Sequence, residues 1–421
     1  MSLFFYNLFL ILYHTAIRIA SLWNTKAKKW IAGRKNVFNN ISAEFLLTGS
    51  KTIWMHCASL GEFEQGRPLI EKIRNDFPEY KIVLTFFSPS GYEIRKNYPG
   101  ADAVLYLPMD SYTHAKKFID TISPSLVIWV KYEYWYYYLT ELKNRKIPLL
   151  LVSGIFRESQ PFFKWYGGLW KKMLGAFSHL FVQTNYSADL LKSIGIHEKV
   201  SISGDTRFDR VTQIADAFEP LPLLLINFCA GSKVLVAGST WEDDEAELIH
   251  FVKAHPEIKF IIAPHEVDKE NVHDVQKEFN GSILYSAFMS GAASAENISN
   301  VIIIDNIGML ARLYFYADVT YVGGGFGESG IHNVLEAAVY GKPVIFGPEY
   351  EKSAEAEALI DCGGAFSITN ALELEAVLNK LFENDNYLRQ CSMAAKNYVY
   401  AKRGATEKII KYIQEKRLLI N

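Results

Sequence analysis

The stretch that decides the fold is Tyr321 to Pro348, which reads YVGGGFGESGIHNVLEAAVYGKPVIFGP. Val319–Val322 is mostly β-branched and is followed by glycine, so it predicts a short buried strand. Apolar residues then recur at helical spacing from Ile331 to Tyr340, ahead of a second strand at Pro343–Phe346. A glycine turn that leads into a helix N-terminus offers N–H groups and the positive end of the helix dipole to an anion, most often a phosphate. The stretch therefore predicts a nucleotide or phosphate site.

Two other interpretations of this stretch stay open on pattern alone. One is a tight turn of any parallel α/β sheet. The other is a dinucleotide site, because residues 325–330 spell G-x-G-x-x-G and Glu349 follows the next strand. That fingerprint usually opens a domain at its first strand, whereas several strand–helix units precede it here. Asn333 and Glu336 share one face of the predicted helix, where the acid can accept from two ribose hydroxyls.

The composition is that of a globular protein with a membrane-facing part. The chain has 421 residues, of which 49% are hydrophobic and 21% charged, and this length predicts two domains. The formal net charge is −2, so no basic field favours nucleic acid as a partner. Four cysteines are scattered without C-x-x-C spacing, which argues against a disulfide framework or a zinc site and favours a reducing compartment.

An apolar segment begins the chain. Residues 2–23 contain Arg18 as the only formal charge and are nearly long enough to span a bilayer. Five lysines and arginines follow between positions 26 and 35, ahead of the first acid, Glu44. This basic flank places the rest of the chain on the cytoplasmic side and attracts anionic lipid. We predict an uncleaved membrane anchor over 1–24 that spans the membrane or lies in its interface; a buried N-terminal helix is the alternative.

Short apolar strands alternate with helical stretches along the rest of the chain. This pattern predicts parallel sheets covered by helices on both faces. The regularity fails around 204–228, so we expect an N-terminal domain at 40–210, a C-terminal domain at 229–400 and a C-terminal helix at 401–421. Two such Rossmann-like domains would face each other across a cleft that binds the ligands. The predicted strands are 52–56, 82–86, 103–107, 126–130, 149–152, 180–182, 234–237, 260–263, 301–304, 319–322 and 344–346.

The first strand ends at His56 and leads through Ser59 into a helix predicted over Glu62–Asp76. Ser59 and Glu62 are spaced as in a capping box, which is a purely structural role. A carboxylate at the carboxyl end of a strand is also placed to take a proton from an acceptor hydroxyl, a role worth roughly 100- to 10,000-fold in rate. Glu64 lies two residues on and is expected to point elsewhere on the helix. Pattern alone leaves both roles of Glu62 open.

Six segments, in a fixed order over nearly the whole chain, resemble the 3-deoxy-D-manno-octulosonic acid (Kdo) transferases of lipopolysaccharide synthesis. They are HCASLGEFEQGRPLI (56–70), GDTRFDRV (204–211), AGSTWEDDEAEL (237–248), IAPHEVD (262–268), IDNIGML (304–310) and the opening stretch (321–348). The resemblance implies a GT-B fold and an inverting transfer that needs no cofactor. Kdo would move from CMP-Kdo onto a glucosamine hydroxyl of the tetraacylated lipid A precursor, at the cytoplasmic face of the bacterial inner membrane.

The resemblance also implies the roles of individual residues. The family's glutamate in Ser-x-Gly-Glu falls on Glu62, as general base. Its CMP contacts fall on Pro264, His265, Gly308, Met309, Leu310, Asn333, Val334, Leu335 and Glu336. CMP leaves as a phosphate monoester, which helix N-termini and backbone N–H groups stabilise without a metal.

Several polar residues have competing interpretations. No D-x-D follows a strand, and Asp243–Asp244 fits a dipole-favoured first turn of a helix rather than a metal site. The carboxylate of the donor needs a cation, and Arg207 is the candidate, where the family usually has lysine. The alternative for Arg207 is a salt bridge to Asp205 or Asp209. For His265 the alternative to ligand binding is a hydrogen-bonded place in the core.

Two segments depart from the family, and both lie on the acceptor side. The family commonly reads Met-Glu-Thr-Glu-Leu-Trp-Pro where Val130–Tyr136 reads VKYEYWY, so that Lys131 reverses a charge. An Arg-Leu-Ser segment of the family corresponds to Ile155–Arg157. The aromatic run at 129–138, with the aromatic and lysine residues at 162–172, predicts either plain core or a surface that faces an anionic glycolipid.

Two other functions fit the same patterns. One is a different GT-B enzyme, a transferase or epimerase that uses a UDP-sugar, and the identity of the donor separates it from a Kdo transferase. The other is a nucleotide-binding or scaffold protein without activity. Glu62 argues against the second, and an activity measurement decides it.

Overall fold

The computed structural model describes residues 2–39, 51–291, 299–328 and 330–419. Its contacts divide the chain into unit 1, Met1–Arg210 with Arg403–Asn421, and unit 2, Val211–Lys402. Each unit is built on a parallel sheet with helices packed against it. Fully buried strands of this kind need apolar residues on both faces, which is the pattern found in the sequence.

Unit 1 has a seven-stranded sheet in the order β3-β2-β1-β4-β5-β6-β7 within the described residues. The strands are β1 Thr52–Cys57, β2 Lys81–Phe86, β3 Ala103–Tyr106, β4 Pro124–Val130, β5 Leu149–Gly154, β6 His179–Val182 and β7 Val200–Ile202. The helices are α1 Leu3–Ala20, α2 Thr25–Arg34, α3 Leu60–Asp76, α4 Pro89–Arg95, α5 Tyr112–Ile122, α6 Tyr136–Asn144, α7 Gly168–Leu174, α8 Asn185–Ser193 and α9 Thr206–Asp216, the last of which continues into unit 2.

Unit 2 repeats the arrangement with the order β10-β11-β9-β8-β12-β13-β14. Its strands are β8 Val234–Thr240, β9 Lys259–Pro264, β10 Ile283–Leu284, β11 Val301–Ile303, β12 Val319–Val322, β13 Val344–Phe346 and β14 Ala365–Ser367. Its helices are α10 Leu223–Cys229, α11 Glu242–Ala254, α12 Lys269–Glu278, α13 Tyr285–Met289, α14 Leu310–Leu313, α15 Leu335–Ala338, α16 Ala354–Asp361, α17 Ala371–Glu383 and α18 Asp385–Ala401. The chain then returns to unit 1 with α19 Ala405–Glu415.

The predicted strands are confirmed, with small differences at their ends, and the two parallel α/β sheets confirm the expected fold class. Three strands were missed, β7, β10 and β14, and each is an edge strand of its sheet. They are two or three residues long and partly exposed, so they lack the continuous apolar run that marks a buried strand.

The helix predicted over Ile331–Tyr340 is wrong in extent, because α15 covers only Leu335–Ala338. The preceding backbone bonds to neighbouring loops instead of continuing the helix. The N–H of Ile331 donates to the carbonyl of Glu349 at 3.2 Å, and that of His332 to the carbonyl of Gly323 at 3.0 Å. Tertiary hydrogen bonds thus override the helical spacing of the apolar residues.

Helix α1 packs on unit 1 along one face only. Tyr6 and Leu10 are buried, and the Tyr6 hydroxyl donates to Asp110 at 2.6 Å. The opposite face exposes large apolar side chains, such as Phe4 at 70% and Leu12 at 60%. In the described part of the chain, α1 is the one helix long and apolar enough to cross a membrane by length and composition.

Most of the aromatic run at 129–138 belongs to the core. Trp129 and Tyr138 are fully buried in the main apolar cluster of unit 1. The lipid-facing interpretation is therefore wrong for them, since the sheet and α6 cover their rings. Trp165 differs because it is 96% exposed, beside the exposed Tyr166.

Candidate active site

The candidate site in unit 1 lies where the order of its strands reverses. Strands β1 and β4 are neighbours, but the chain continues from β1 towards β2 and from β4 towards β5. Loops diverge at such a switch point and leave a crevice at the carboxyl ends of the strands, where open α/β sheets bind ligands. Glu62 follows β1 there, and Glu133 follows β4.

Glu62 does not form a full capping box. Ser59 takes the extended conformation of an N-cap residue, but its side chain makes no cap hydrogen bond. The Glu62 carboxylate accepts instead from the backbone N–H of Ala58, and also from that of Tyr132. Burial and the charge of Glu133 raise the pKa of Glu62 to about 7, although the two N–H donors act to lower it. A carboxylate with a pKa near neutrality suits a general base, which must be ionised and still hold a proton well.

Glu133 is fixed by a network from both strands. Its carboxylate lies 3.0 Å from Nε2 of the fully buried His56 and accepts from Nε1 of Trp135 at 2.9 Å. Trp129 Nε1 donates to the Glu133 carbonyl at 2.7 Å. The other ring nitrogen of His56 lies 2.9 Å from the hydroxyl of Thr85 on β2. The network holds a second carboxylate close enough to Glu62 to shift its titration.

Two arginines lie near the exposed ring of Tyr132, at the edge of this acid site. Burial raises the pKa of the Tyr132 hydroxyl, and the charges of Arg157 and Arg207 oppose the rise. Arg207 is paired with Asp205, through Nη2 at 2.7 Å and Nε at 2.8 Å, so the predicted salt bridge exists. Asp209 instead accepts from backbone N–H groups at the start of α19. Glu64 lies outside the acid site, as expected.

Glu64 forms an ion pair with Arg95 at 2.8 Å. It also lies 4.0 Å from Arg67 and 3.8 Å from Arg210. These cations surround the Glu64 carboxylate on a different side of α3 from Glu62. The two glutamates of the motif are therefore in different environments, and only Glu62 faces the switch point.

Unit 2 has its own switch point between β8 and β12. Asp244 lies in the first turn of α11, as predicted for the acidic helix start. Its carboxylate accepts from the N–H of Trp241 at 3.0 Å, the N–H of Gly324 at 2.8 Å and the hydroxyl of Tyr321 at 2.8 Å. Asp244 therefore links the loop after β8 to the loop after β12, and three hydrogen-bond donors satisfy its carboxylate.

The glycine loop at 323–330 uses many of its N–H groups internally. Those of Gly324, Gly327 and Gly330 donate to Asp244, to the carbonyl of Gly324 and to the carbonyl of Gly327. A side chain at Gly325 would collide with the backbone of Gly347. The expectation that these N–H groups are free for an anion is therefore wrong at those three positions. The glycines allow loops to pack closely against one another.

The predicted contact His265 follows Pro264, the last residue of β9, and is exposed. Its ring stacks on Trp241 at 4.6 Å and on His332 at 4.4 Å between centroids. Trp241 Nε1 donates to Nε2 of His332 at 3.2 Å. A hydrogen-bonded core place for His265 is thus wrong, and three exposed or half-buried rings gather at this edge of the sheet.

The second predicted group, at 308–310, follows β11. Gly308 has φ of +99° and open space around its Cα, Met309 is buried, and Leu310 begins α14. Leu310 and Tyr314 pack closely against Gly238 of β8. The backbone of this loop, rather than the Met309 side chain, is accessible to a ligand.

The third predicted group lies at 333–336. Asn333 Nδ2 donates to Oε1 of Glu336 at 3.0 Å, so these two side chains do share one face. The side chains of Val334 and Leu335 are fully buried, and the N–H of Leu335 donates to Asn333. They are therefore excluded as side-chain ligands, and only the ends of this group reach the surface. His332 stacks on His265, so it connects this group to the end of β9.

The structure thus brings the predicted residues of unit 2 to one edge of its sheet and places two further rings beside them, which sequence reasoning missed. These are Trp241 and His332. Trp241 directly follows β8, the first strand of unit 2. An aromatic residue at that position is the feature of the sequence from which it could have been predicted. Within the described ranges, no three His, Cys, Asp or Glu side chains lie together as a metal site requires.

Comparison with known proteins adds to these observations. Residues 32–210 match the family described as 3-Deoxy-D-manno-octulosonic-acid transferase (kdotransferase). A 3-deoxy-D-manno-octulosonic acid transferase of Chlamydia trachomatis serovar A is 28% identical over 79% of this chain and 79% of its own. A bifunctional glycosyltransferase/methyltransferase of Fusobacterium nucleatum is 28% identical over 72% of this chain, which spans only 48% of that relative's length.

Among solved structures, UDP-GlcNAc 2-epimerase from Neisseria meningitidis, bound to UDP-GlcNAc, has a TM-score of 0.60 at 15% identity. The similarity covers 86% of this chain and all (100%) of the epimerase chain, and it bears on the fold alone. The GT-B fold expected from the sequence is confirmed. The matched domain, the transferase relatives and the ordered motifs all make this chain similar to Kdo transferases.

Proposed function

We propose that this chain transfers Kdo from CMP-Kdo onto a glucosamine hydroxyl of the tetraacyl lipid A precursor, with inversion at the anomeric carbon. Glu62 takes the proton of the attacking hydroxyl, the new glycosidic bond forms, and CMP leaves with the electrons of the broken bond. The observation that carries the proposal is Glu62 itself. It is a buried carboxylate at a switch point, with a pKa raised to about 7.

We assign the donor nucleotide to the edge of unit 2 at Pro264, His265, Gly308–Leu310 and Asn333–Glu336. Support comes from the stacked rings of Trp241, His265 and His332, which offer flat surfaces to a base. Asn333 and Glu336 add a polar pair that can bind ribose hydroxyls. In these terms the segment 229–400 binds the donor and 40–210 the acceptor.

The carboxylate of the donor requires a cation near the acid site. Arg207 is the candidate from sequence, and its pairing with Asp205 leaves it partly exposed. Arg157 is exposed and lies near the same tyrosine, so we propose it as a second candidate. Guanidinium groups bind carboxylates in a bidentate manner, which suits this role.

We further propose that α1 and the basic residues after it anchor the enzyme to the cytoplasmic face of the bacterial inner membrane. The exposed apolar face of α1 and the lysines of α2 support this. Transfer without a divalent metal stays a prediction. Use of a UDP-sugar is the competing function, and the donor decides between the two.

The test uses the full chain in detergent with CMP-Kdo and tetraacyl lipid A precursor, with and without EDTA, and reads the product by mass spectrometry. We expect the acceptor to gain one or more Kdo units, equally in EDTA, and no product with UDP-GlcNAc. A chain that ignores CMP-Kdo and uses or binds the UDP-sugar would contradict the assignment. Loss of transfer in EDTA, restored by a divalent cation, would contradict metal independence alone.

A further inference from the structure

A cavity of about 420 Å³ lies in unit 1 between α1, α2 and the segment that joins β3 to α5. Its walls are partly apolar, with Leu10, Ile31 and Met109 among the lining residues. Its cations are Arg18 of α1, and Arg34 and Lys35 at the end of α2. Neither the acid site nor the predicted nucleotide residues contribute to this cavity.

The only acid that lines the cavity, within the described residues, is Asp110. It is 4% exposed, and its carboxylate accepts from the Tyr6 hydroxyl at 2.6 Å and from the N–H groups of Tyr137 and Tyr138 at 3.0 and 3.1 Å. These three donors satisfy the Asp110 carboxylate, and no ion pair joins it to the three cations within the described residues. The positive charge in the cavity is therefore not neutralised from within.

Arg34 forms no ion pair within the described residues, although the charge of Glu133 acts on it from a greater distance. Its guanidinium donates to three backbone carbonyls, those of Leu107 at 2.9 Å, Phe87 at 2.7 Å and Trp30 at 3.2 Å. It stacks 3.8 Å above the ring of Trp30. Across the described ranges, none of Arg18, Arg34 and Lys35 forms an ion pair with a carboxylate. A partly buried cation whose hydrogen bonds go only to neutral carbonyl groups is stabilised when an anion binds beside it.

The position of the cavity points to the source of that anion. Ile11 lines the cavity and is also 64% exposed on the apolar face of α1, beside Leu12. A lipid whose acyl chains lie against this face therefore has its phosphate at the cations. We infer that the cavity binds the phosphate headgroup of an anionic membrane phospholipid, which seats α1 on unit 1.

The cavity is also close to the acid site without being part of it. Phe87 packs on Trp30 at 5.6 Å and on Trp135 at 4.8 Å between ring centroids. Trp135 in turn donates to Glu133 at 2.9 Å. One layer of aromatic rings thus separates the bound lipid from the network around Glu133.

The test measures lipid binding to the full chain without donor, by native mass spectrometry after release from detergent. The probes are phosphatidylglycerol, phosphatidylcholine, inorganic phosphate and the tetraacyl glycolipid. R18Q/K35Q is expected to weaken the binding of phosphatidylglycerol by at least about tenfold, because it removes two of the three cations that line the cavity and would contact the phosphate. K26Q/K29Q is the control, since it removes the same charge from α2 outside the cavity.

A second variant, Ile31→Trp, fills the cavity and keeps every charge. It is expected to lose phosphatidylglycerol as well, while phosphatidylcholine and inorganic phosphate bind weakly to all forms. Equal losses in the two charge variants, or wild-type binding by Ile31→Trp, would show general electrostatic attraction and overturn the inference. Binding in the cavity of the glycolipid alone would also overturn it, because the site would then serve the acceptor.

Discussion

The two units carry an acid at the same place, after the first strand at the switch point of the sheet, and use it differently. In unit 2, Asp244 has three donors and joins the loop after β8 to the loop after β12. In unit 1, Glu62 has two backbone donors and a carboxylate neighbour, Glu133. A similar turn thus gives a carboxylate saturated with donors in unit 2, and in unit 1 a carboxylate whose pKa is raised by burial and by a second negative charge.

The largest expected effect is on activity. Glu62→Gln removes the proposed proton acceptor and keeps the shape of the side chain, so we expect transfer to fall by roughly 100- to 10,000-fold. The measurement is kcat for Kdo transfer, with binding of CMP as a check that unit 2 is intact. Glu64→Gln is the control, because Glu64 is held in ion pairs away from the switch point. Equal losses in both variants would assign the effect to α3 as a whole.

The second effect is on stability and concerns unit 2. Asp244→Ala leaves the buried Tyr321 hydroxyl and two N–H groups without an acceptor, which is expected to lower the free energy of unfolding by about 3 kcal/mol. Urea denaturation measures it. Asp243→Ala is the control, since Asp243 is exposed in the same helical turn. If the two variants lost the same stability, the dipole of α11 rather than the hydrogen-bond network would be responsible.

The third effect is also on stability, but substitution of Glu62 is expected to stabilise the protein rather than destabilise it. Its pKa in the folded chain is raised to about 7, so the folded state binds the proton more tightly than the unfolded state. Its contribution to stability is therefore greatest at low pH and is lost as pH rises through about 7. Glu62→Gln is expected to raise the free energy of unfolding at pH 8 by on the order of 2 kcal/mol, and hardly at all at pH 4. A variant less stable than wild type at pH 8 would contradict this.

The smallest effect tests Glu133 as the neighbour that sets the titration of Glu62. Glu133→Gln removes a negative charge that raises the pKa of Glu62, so the acid limb of the pH–rate profile is expected to move to lower pH by less than about one unit. The amide can still accept from Trp135 Nε1. Profiles of kcat/KM between about pH 5 and 9 measure the shift. A limb that did not move would assign the raised pKa of Glu62 to burial alone.

The sequence predicted the central strands of each sheet and missed three of the edge strands. Central strands such as β1 and β12 are fully buried and leave a continuous apolar signal. The edge strands β7 and β10 are short and half exposed, so they resemble loops. The extent of α15 was wrong because hydrogen bonds to distant loops, which the local pattern does not contain, hold the preceding residues.

The site was predictable only in part. Glu62 was predicted as a site residue from its motif, and its position after a strand is visible in the sequence. Its partner network was not, because His56 and Glu133 are 77 positions apart and meet only when β1 and β4 pair. Val334 and Leu335 show the opposite limit of a motif. They belong to the matched segment, but their side chains face the core.

The return of the chain to unit 1 has a consequence for how the protein is made. Helix α19 buries Ile409, Ile410 and Ile413 in the same cluster as β1 and β4, and Asp209 accepts from its N-terminal N–H groups. During synthesis on the ribosome, the sheet of unit 1 therefore emerges long before the helix that covers it. Until about two hundred more residues have been added, that apolar surface is open to chaperones or to other nascent chains. Unit 2, which is continuous in sequence, can complete its fold first.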